Sequence, residues 1–198
     1  MNSIEELDFS KTYTYADYYS WRFEERVELI KGKVFEMGGA PGANHQLILG
    51  NIASELYQFL KGKPTTVMMA PFDIRLVKDE IADEDVRTVV QPDISIICDR
   101  TKLADDRSCL GSPDIIVEIL IAGNNQKEIR IKHELYEEYG VKEYWVVFSV
   151  SQVLVRYVLN QESRFEASGR PLTFGDILTT PILPSFELAM DEVFRDLL

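Results

Sequence analysis

The first candidate for chemistry in this sequence is a glutamate inside an apolar run. Residues 113–121 read PDIIVEILI, so Glu118 lies among isoleucine, leucine and valine side chains. An unpaired carboxylate is costly to bury, so Glu118 must be paired, protonated or bound to a metal ion. Side chains two residues apart share one face of an extended segment, so Asp114 and Glu118 point the same way.

A second acidic residue has a similar place on another predicted strand. Residues 91–97 read QPDISII and repeat the Pro-Asp-Ile opening, with Asp93 at the start of the strand. On adjacent strand ends, Asp93 and Glu118 would supply the hard oxygen ligands that Mg²⁺ or Mn²⁺ prefers. The pattern therefore predicts a divalent-metal site at the rim of a sheet.

The helix predicted after the Glu118 strand carries a lysine on its apolar face. With a period of 3.6 residues, one face of this helix holds Ile129, Lys132, Leu135, Tyr136 and Tyr139, and the solvated side holds Arg130, His133 and Glu137. A lysine on an apolar face either extends to its edge or points at an acidic partner. Because the helix leaves the end of the Glu118 strand, it can fold back across the sheet and bring Lys132 beside Glu118 and Asp93.

Two acids and a lysine around a hard cation are the equipment of metal-assisted phosphodiester hydrolysis. The carboxylates hold the ion, and the ion polarises the phosphate and acidifies water. The lysine steadies the nucleophile or the developing charge. The residue types therefore favour a hydrolase that acts on nucleic acid.

The elements that must position these residues follow from local patterns. Apolar spacing and stop signals predict helices at residues 13–25, capped by Thr14, at 44–62 and at 126–139. Alternation and turn signals predict a hairpin at 26–37 around Lys31 and Gly32, and strands at 65–77, 89–99, 113–121, 143–150 and 152–160. The loop at 77–88 and the linker at 99–112 separate strands, and the tail ends in a short acidic helix. This order predicts a mixed α/β fold.

Composition limits the class of protein. The length of 198 residues fits one domain, residues 1–198, with 45% hydrophobic and 27% charged residues. A formal charge of −12 argues against strong nonspecific binding to nucleic acid. It does not argue against a nucleic-acid site whose carboxylates are offset by bound cations. Two cysteines and two histidines exclude a zinc cluster. Without a signal-like N-terminus or an apolar run of membrane-spanning length, the sequence predicts a cytoplasmic protein that does not enter a membrane.

These motifs, in this order and spacing, resemble the PD-(D/E)XK nuclease superfamily and, over about residues 13–159, its Uma-type branch of restriction endonuclease-like proteins. The matching pieces are VELIKGKVFEM with Glu28, APGANHQLI with His45, QPDISII with Asp93, SPDIIVEIL with Glu118, and KHELYEEYGVKEYWVV with Lys132 and Tyr136. In the superfamily at large, the lysine follows the strand acid by two residues, where this chain has Leu120. Lys132 matches the position on the helix to which the branch moves that lysine.

The resemblance implies a restriction endonuclease-like mixed β-sheet core flanked by helices. It also implies a Mg²⁺-dependent endonuclease, with Mn²⁺ as an alternative ion, that cleaves DNA as a homodimer. Its catalytic residues would be Asp93, Glu118, Lys132 and Glu28, with Asp93 and Glu118 as metal ligands. His45 and Tyr136 would be auxiliary residues.

Other interpretations remain open at this point. The branch usually follows the strand glutamate with a Ser-Pro-Ser-Thr-like turn and has an aspartate four residues before the lysine. This chain has Ile-Ala-Gly-Asn at 121–124, and Glu128. That difference and the acidic composition favour a nuclease-derived binding module of a mobile-element or defence system. A third hypothesis is an unrelated α/β enzyme with Asp114 and His45 as acid/base partners. Without the resemblance, Glu28 would be predicted as an exposed hairpin residue.

Overall fold

The described part of the chain contains two main β-sheets, a two-stranded sheet and four α-helices. The computed structural model describes residues 3–38, 41–79, 81–103, 105–121 and 126–198. The helices are α1 (Tyr15–Ser20), α2 (Ala43–Leu60), α3 (Gln126–Glu138) and α4 (Met190–Val193). The strands are β1 (Val27–Ile30), β2 (Lys33–Glu36), β3 (Thr66–Met69), β4 (Asp73–Arg75), β5 (Val89–Val90), β6 (Ile94–Ile97), β7 (Ser108–Leu110), β8 (Ile115–Leu120), β9 (Glu143–Phe148), β10 (Val153–Leu159), β11 (Phe165–Ala167), β12 (Ile177–Thr179) and β13 (Glu187–Ala189).

The larger sheet is mixed and has the order β11-β10-β9-β8-β6-β3. Strand β8 pairs in parallel with β9 and antiparallel with β6, so it lies in the middle of the sheet. A central strand is covered on both faces, which explains why residues 115–119 are all buried. The predicted antiparallel pairing of β9 with β10 is confirmed, and so is the mixed α/β fold class.

The smaller sheet has the order β2-β1-β5-β4-β7 and contains the predicted hairpin. In that hairpin, β1 pairs with β2 around Lys31 and Gly32, as predicted. Two predicted strands, at 65–77 and 89–99, are wrong as continuous strands because each divides between the two sheets. Each break contains a proline, Pro71 or Pro92, which has no backbone N–H to donate to a ladder. The second crossing brings the segment around Asp93 to the junction between the sheets.

Helices α2 and α3 cover different surfaces of the larger sheet. Ile48, Ile52 and Leu56 of α2 share a buried cluster with Val117 and Ile119 of β8. Helix α3 packs between the sheets: its cluster combines residues of the smaller sheet, the larger sheet and the helix itself, including Ile74, Val90, Ile116, Tyr144, Leu135 and Tyr136. The helix that follows β8 does fold back across the sheet, as the sequence predicts.

Several local predictions need correction. Helix α1 is shorter than residues 13–25: it has the predicted Thr14 cap but ends at Ser20, because Trp21 and Phe23 pack as an aromatic pair instead of continuing the helix. The linker at 99–112 contains strand β7, which pairs in parallel with β4. None of the helices in the described part of the chain is long and apolar enough to cross a membrane.

Candidate functional site

The alternation of β8 decides where Glu118 points. Val117 and Ile119 belong to the cluster beneath α2, whereas Ile116 belongs to the cluster beneath α3. Glu118 shares the Ile116 face because side chains alternate along a strand. It is therefore directed at α3 and is 8% exposed. The acid in the apolar run is buried, and its partners lie on the helix.

Helix α3 meets Glu118 with two polar groups. Lys132 Nζ lies 2.9 Å from Glu118 Oε1, and the Tyr136 hydroxyl donates to the same oxygen at 2.7 Å. Residues four apart lie one above the other on a helix face, so one turn of α3 presents both donors. Tyr136 is a core aromatic, as its spacing suggests, and its hydroxyl also contacts the acid.

Glu28 is the second partner of Lys132 and is not the exposed hairpin residue that the local pattern alone would indicate. Its side chain is buried, and its Oε1 lies 3.1 Å from Lys132 Nζ and accepts from the Gln91 backbone N–H at 2.9 Å. The hairpin is buried here because β1 is paired on both sides and Lys132 of α3 lies against Glu28. The ammonium therefore lies between one carboxylate from each sheet.

Asp93 lies at the end of the pairing between β6 and β8. The last registered pair is Ile94 with Val117, so the next residues along the two strands are Asp93 and Glu118. Asp93 Oδ2 accepts from the Ile119 backbone N–H at 2.7 Å, which holds the carboxylate next to Glu118. Its other oxygen, Oδ1, lies 3.1 Å from Nε2 of His45.

The predicted site residues thus come together, with two differences from expectation. Among the contacts of the described residues, Lys132 binds Glu118 and Glu28, whereas Asp93 binds His45 and the backbone of β8. The sequence predicts Lys132 beside Asp93, and nothing in it predicts the contact between His45 and Asp93. Lys132 therefore joins Glu118 to Glu28, and Asp93 has separate partners.

Negative charge exceeds positive charge in this cluster. Burial raises the pKa of Glu118 to about 7; the nearby Lys132 lowers it, while the charges of Asp93 and Glu28 add to the rise. Burial opposes the charge of Lys132, but Glu118 and Glu28 raise its pKa well above the usual value. Burial likewise raises the pKa of Tyr136. Near neutral pH, Lys132 is therefore an ammonium donor and not a base, and Tyr136 is a neutral phenol.

The residues fit a hard cation. Within the described ranges, no group of three or more histidine, cysteine, aspartate or glutamate side chains is close enough to form a complete metal cage. A Mg²⁺ ion needs no such cage, since it keeps several waters and commonly binds one or two protein carboxylates. Like charges at neighbouring positions of paired strands are unfavourable. Asp93 and Glu118 therefore form a site that a divalent ion would stabilise.

The other candidates from the sequence lie elsewhere. Asp114 accepts from the Cys98 backbone N–H at 2.8 Å and from Lys142 Nζ at 2.6 Å, whereas His45 contacts Asp93. This arrangement does not support an acid/base pair of Asp114 and His45. His133, which the sequence places on the solvated side of the helix, is half-buried, and its ring packs edge-on against Tyr157 at 4.9 Å. In the unusual turn after β8, residues 122–125 and the side chain of residue 128 lie outside the described part of the chain.

Gln91 is a site neighbour that the sequence analysis missed. Besides the backbone bond to Glu28, its side-chain Oε1 accepts from Arg26 Nη2 at 2.7 Å, and its Nε2 donates to Asp73 Oδ1 at 2.8 Å. Gln91 therefore holds Glu28 in place. The only signal was its position before Pro92, which ends the strand pairing and leaves its N–H free for a side-chain acceptor.

Comparison with known proteins identifies the family. Residues 15–191 match the model of the Uma2 family, described as "Putative restriction endonuclease". The chain belongs to the Uma2 family. The match starts at the first residue of α1 and ends within α4, so it includes both main sheets and every residue of the site.

The fold of this Uma2 protein resembles that of a solved structure. This structure is the crystal structure of a protein from Anabaena variabilis ATCC 29413, described as a "putative nuclease belonging to DUF820". The structural match covers 91% of this chain and 97% of the Anabaena chain. The TM-score is 0.66 at 15% sequence identity, which shows the fold. No curated protein matches the chain in sequence. The predicted Uma-type family and restriction endonuclease-like fold are confirmed, and the family supports a nuclease.

Proposed function

We propose that this Uma2 protein is a Mg²⁺-dependent endonuclease that hydrolyses phosphodiester bonds in DNA. The observation that carries the proposal is the contact of Lys132 with Glu118, next to Asp93, at the junction of the two sheets. Two carboxylates and a permanently protonated lysine match the requirements of metal-assisted phosphoryl chemistry. Mn²⁺ has similar ligand preferences and would substitute for Mg²⁺.

Each residue has a distinct task in this proposal. Asp93 and Glu118 would hold the ion, which when bound polarises the phosphate and acidifies a water molecule. Lys132 would donate a hydrogen bond to the attacking water or to the charge that develops on the phosphate. Glu28 keeps the ammonium at the site through its 3.1 Å contact. Tyr136 orients Glu118 by occupying one lone pair of Oε1.

The proposal includes a second copy of the chain. One site of this kind cuts one strand at a time, so cleavage of both strands of a duplex at one position is most direct with two sites in a homodimer. The excess of negative charge on the chain, −12 in total, opposes nonspecific attraction to DNA. Contact with the phosphate backbone would therefore depend on the bound ion and on Lys132.

Metal titration by calorimetry tests the proposal. Wild-type protein is expected to bind Mn²⁺ and Mg²⁺, and Asp93→Ala and Glu118→Ala are expected to weaken binding at least about tenfold, because each removes one of two carboxylate ligands. Supercoiled plasmid should be nicked or linearised by the wild type in the presence of Mg²⁺ and left intact in excess chelator. Asp114→Ala provides the control for metal affinity, since that carboxylate binds Lys142 outside the site.

The plasmid assay, with a gel-shift assay beside it, separates the nuclease from a binding module without catalysis, which the unusual sequence Ile-Ala-Gly-Asn at 121–124 favours. A catalytically inert module would bind DNA in a gel-shift assay without cleaving it at any metal concentration. If no metal binds, or if binding is the same in both alanine variants as in the wild type, the metal-dependent enzyme is excluded.

A further inference from the structure

Asp93 is held at both of its carboxylate oxygens. The Ile119 backbone N–H donates to Oδ2 at 2.7 Å, and His45 Nε2 lies 3.1 Å from Oδ1. A strand on one side and a helix on the other therefore fix the plane of the carboxylate. Each oxygen keeps a second lone pair for another partner.

His45 makes this contact at a cost. The side chain is 7% exposed, and within the described part of the chain its Nδ1 is buried without a hydrogen-bond partner. A buried polar atom without a partner costs about 1–3 kcal/mol. An apolar side chain would fill the same space without that cost, so packing alone does not account for an imidazole here. What the imidazole adds is the contact with Asp93.

The chemistry of the pair assigns the proton. An ionised carboxylate only accepts hydrogen bonds, so Nε2, which lies 3.1 Å from Oδ1 of Asp93, is the nitrogen that would carry the proton. In the neutral ring, Nδ1 is then the unprotonated nitrogen. The contact with Asp93 therefore favours the tautomer of His45 that carries its proton on Nε2.

The packing of helix α2 fixes the position of His45. His45 is the third residue of α2, which runs from Ala43 to Leu60. Ile48, Ile52 and Leu56 of the same helix are fully buried against the larger sheet. The imidazole is therefore carried by a packed helix, and its distance from Asp93 is set by that packing.

We propose that His45 is a positioning residue, which orients Asp93 for metal binding by donating from Nε2 to Oδ1. This inference rests on the proposed metal-dependent function. Hydrogen bonds to the ligands of a metal fix the ligands' orientation, and losing one typically lowers metal affinity about 10–100-fold. His45 is not itself a metal ligand in this arrangement, because its Nε2 is occupied by Asp93 and its Nδ1 is buried.

A pair of amide substitutions tests the position of the donor. The amide nitrogen of glutamine reaches about as far as Nε2 of histidine, whereas that of asparagine reaches only as far as Nδ1. In calorimetric titrations of the full chain with Mn²⁺, His45→Asn is expected to weaken binding about 10–100-fold. His45→Gln should stay within about threefold of the wild type, because it keeps a donor near Asp93.

Thermal unfolding without metal accompanies these titrations. A residue that only fills space would change stability in both variants and leave their Mn²⁺ affinities alike. Equal affinities in the two variants, whether both unchanged or both weakened, would overturn the inference. If the wild type itself binds no Mn²⁺, the proposed function fails, and the assignment of His45 fails with it. If the wild type binds Mn²⁺ and the two variants have equal Mn²⁺ affinities, only the assignment of His45 is refuted.

The tautomer of His45 gives a second measurement that requires no His45 variant. The chain has two histidines, so ¹⁵N spectra of the imidazoles contain two ring systems, and a His133→Gln variant assigns them. We expect the Nε2-protonated tautomer for His45 in the wild type and a shift toward a mixture in Asp93→Ala. An Nδ1-protonated ring in the wild type would leave Nε2 without a proton to donate to Asp93 and would overturn the inference.

Discussion

Lys132→Met is expected to lower the free energy of unfolding by about 3–5 kcal/mol, because it removes the shared cation from a buried ion cluster. Glu118 and Glu28 would each lose an ammonium, at 2.9 and 3.1 Å. Plasmid cleavage should fall about 10²–10³-fold, since the transition state loses one positioned donor. Chemical denaturation and an initial-rate cleavage assay at saturating Mg²⁺ measure the two effects.

The matched control for this substitution lies on the same helix. Arg130→Met removes an exposed ion pair with Glu134, in which the nitrogen and oxygen are 3.7 Å apart and both side chains are about two-thirds or more exposed. Pairs of this kind contribute about 0.2–1 kcal/mol, so the control should differ little from the wild type. A loss of stability in Lys132→Met no greater than in Arg130→Met would show that Lys132 is not the cation of a buried cluster.

Glu118→Gln is expected to stabilise the protein in the absence of metal and to abolish its Mg²⁺-dependent cleavage. The folded-state pKa of Glu118 is raised to about 7, above its ordinary value of 4.5. The stability that the protonated acid allows is therefore fully present below about pH 4.5 and is lost as the pH rises through about 7. Glutamine resembles the protonated acid, so at pH 8 the variant should be more stable by on the order of 3 kcal/mol.

The pH dependence distinguishes this cause from a general change in packing. In chelator, the stabilisation by Glu118→Gln should be large near pH 8 and small near pH 5, where Glu118 in the wild type is mostly protonated. Cleavage should fall at least about 10²-fold at pH 8, because the amide is a poor ligand for Mg²⁺. Equal stabilisation at both pH values, or destabilisation at pH 8, would refute the assignment.

Glu143→Gln provides the comparison within the same sheet. Glu143 is also buried, but it accepts from Trp145 Nε1 at 2.8 Å and from the Thr180 hydroxyl at 2.7 Å, outside the candidate site. This substitution should leave cleavage within about threefold of the wild type, as expected for a residue remote from the reacting groups. A stabilised but inactive Glu118→Gln beside an active Glu143→Gln would show that the site tolerates unfavourable charge for the sake of its chemistry.

The predictable half of the site comes from regular elements. The two-residue period of β8 and the 3.6-residue period of α3 depend on backbone geometry alone. They predict that Glu118 and Lys132 lie on facing surfaces, and the contact of 2.9 Å agrees with that prediction. Family resemblance added Glu28 and His45 as candidates but gave no positions for them.

The remaining contacts depend on how elements from distant parts of the chain pack. Glu28 is buried because β1 belongs to a second sheet and α3 packs between the two sheets, which no local pattern encodes. The contact between His45 and Asp93 requires the start of α2 to approach the end of β6. The division of two predicted strands at Pro71 and Pro92 was readable in principle, since a proline cannot donate to a ladder.

The placement of Lys132 makes the candidate site depend on tertiary assembly. One carboxylate that holds its ammonium belongs to the hairpin of the smaller sheet, and the other belongs to the middle strand of the larger sheet. A local unfolding event that separates the two sheets would break this ion cluster while leaving most strands and helices intact. A partly unfolded molecule would therefore lack the proposed nuclease activity. A newly synthesised chain would gain that activity only after both sheets had packed against α3.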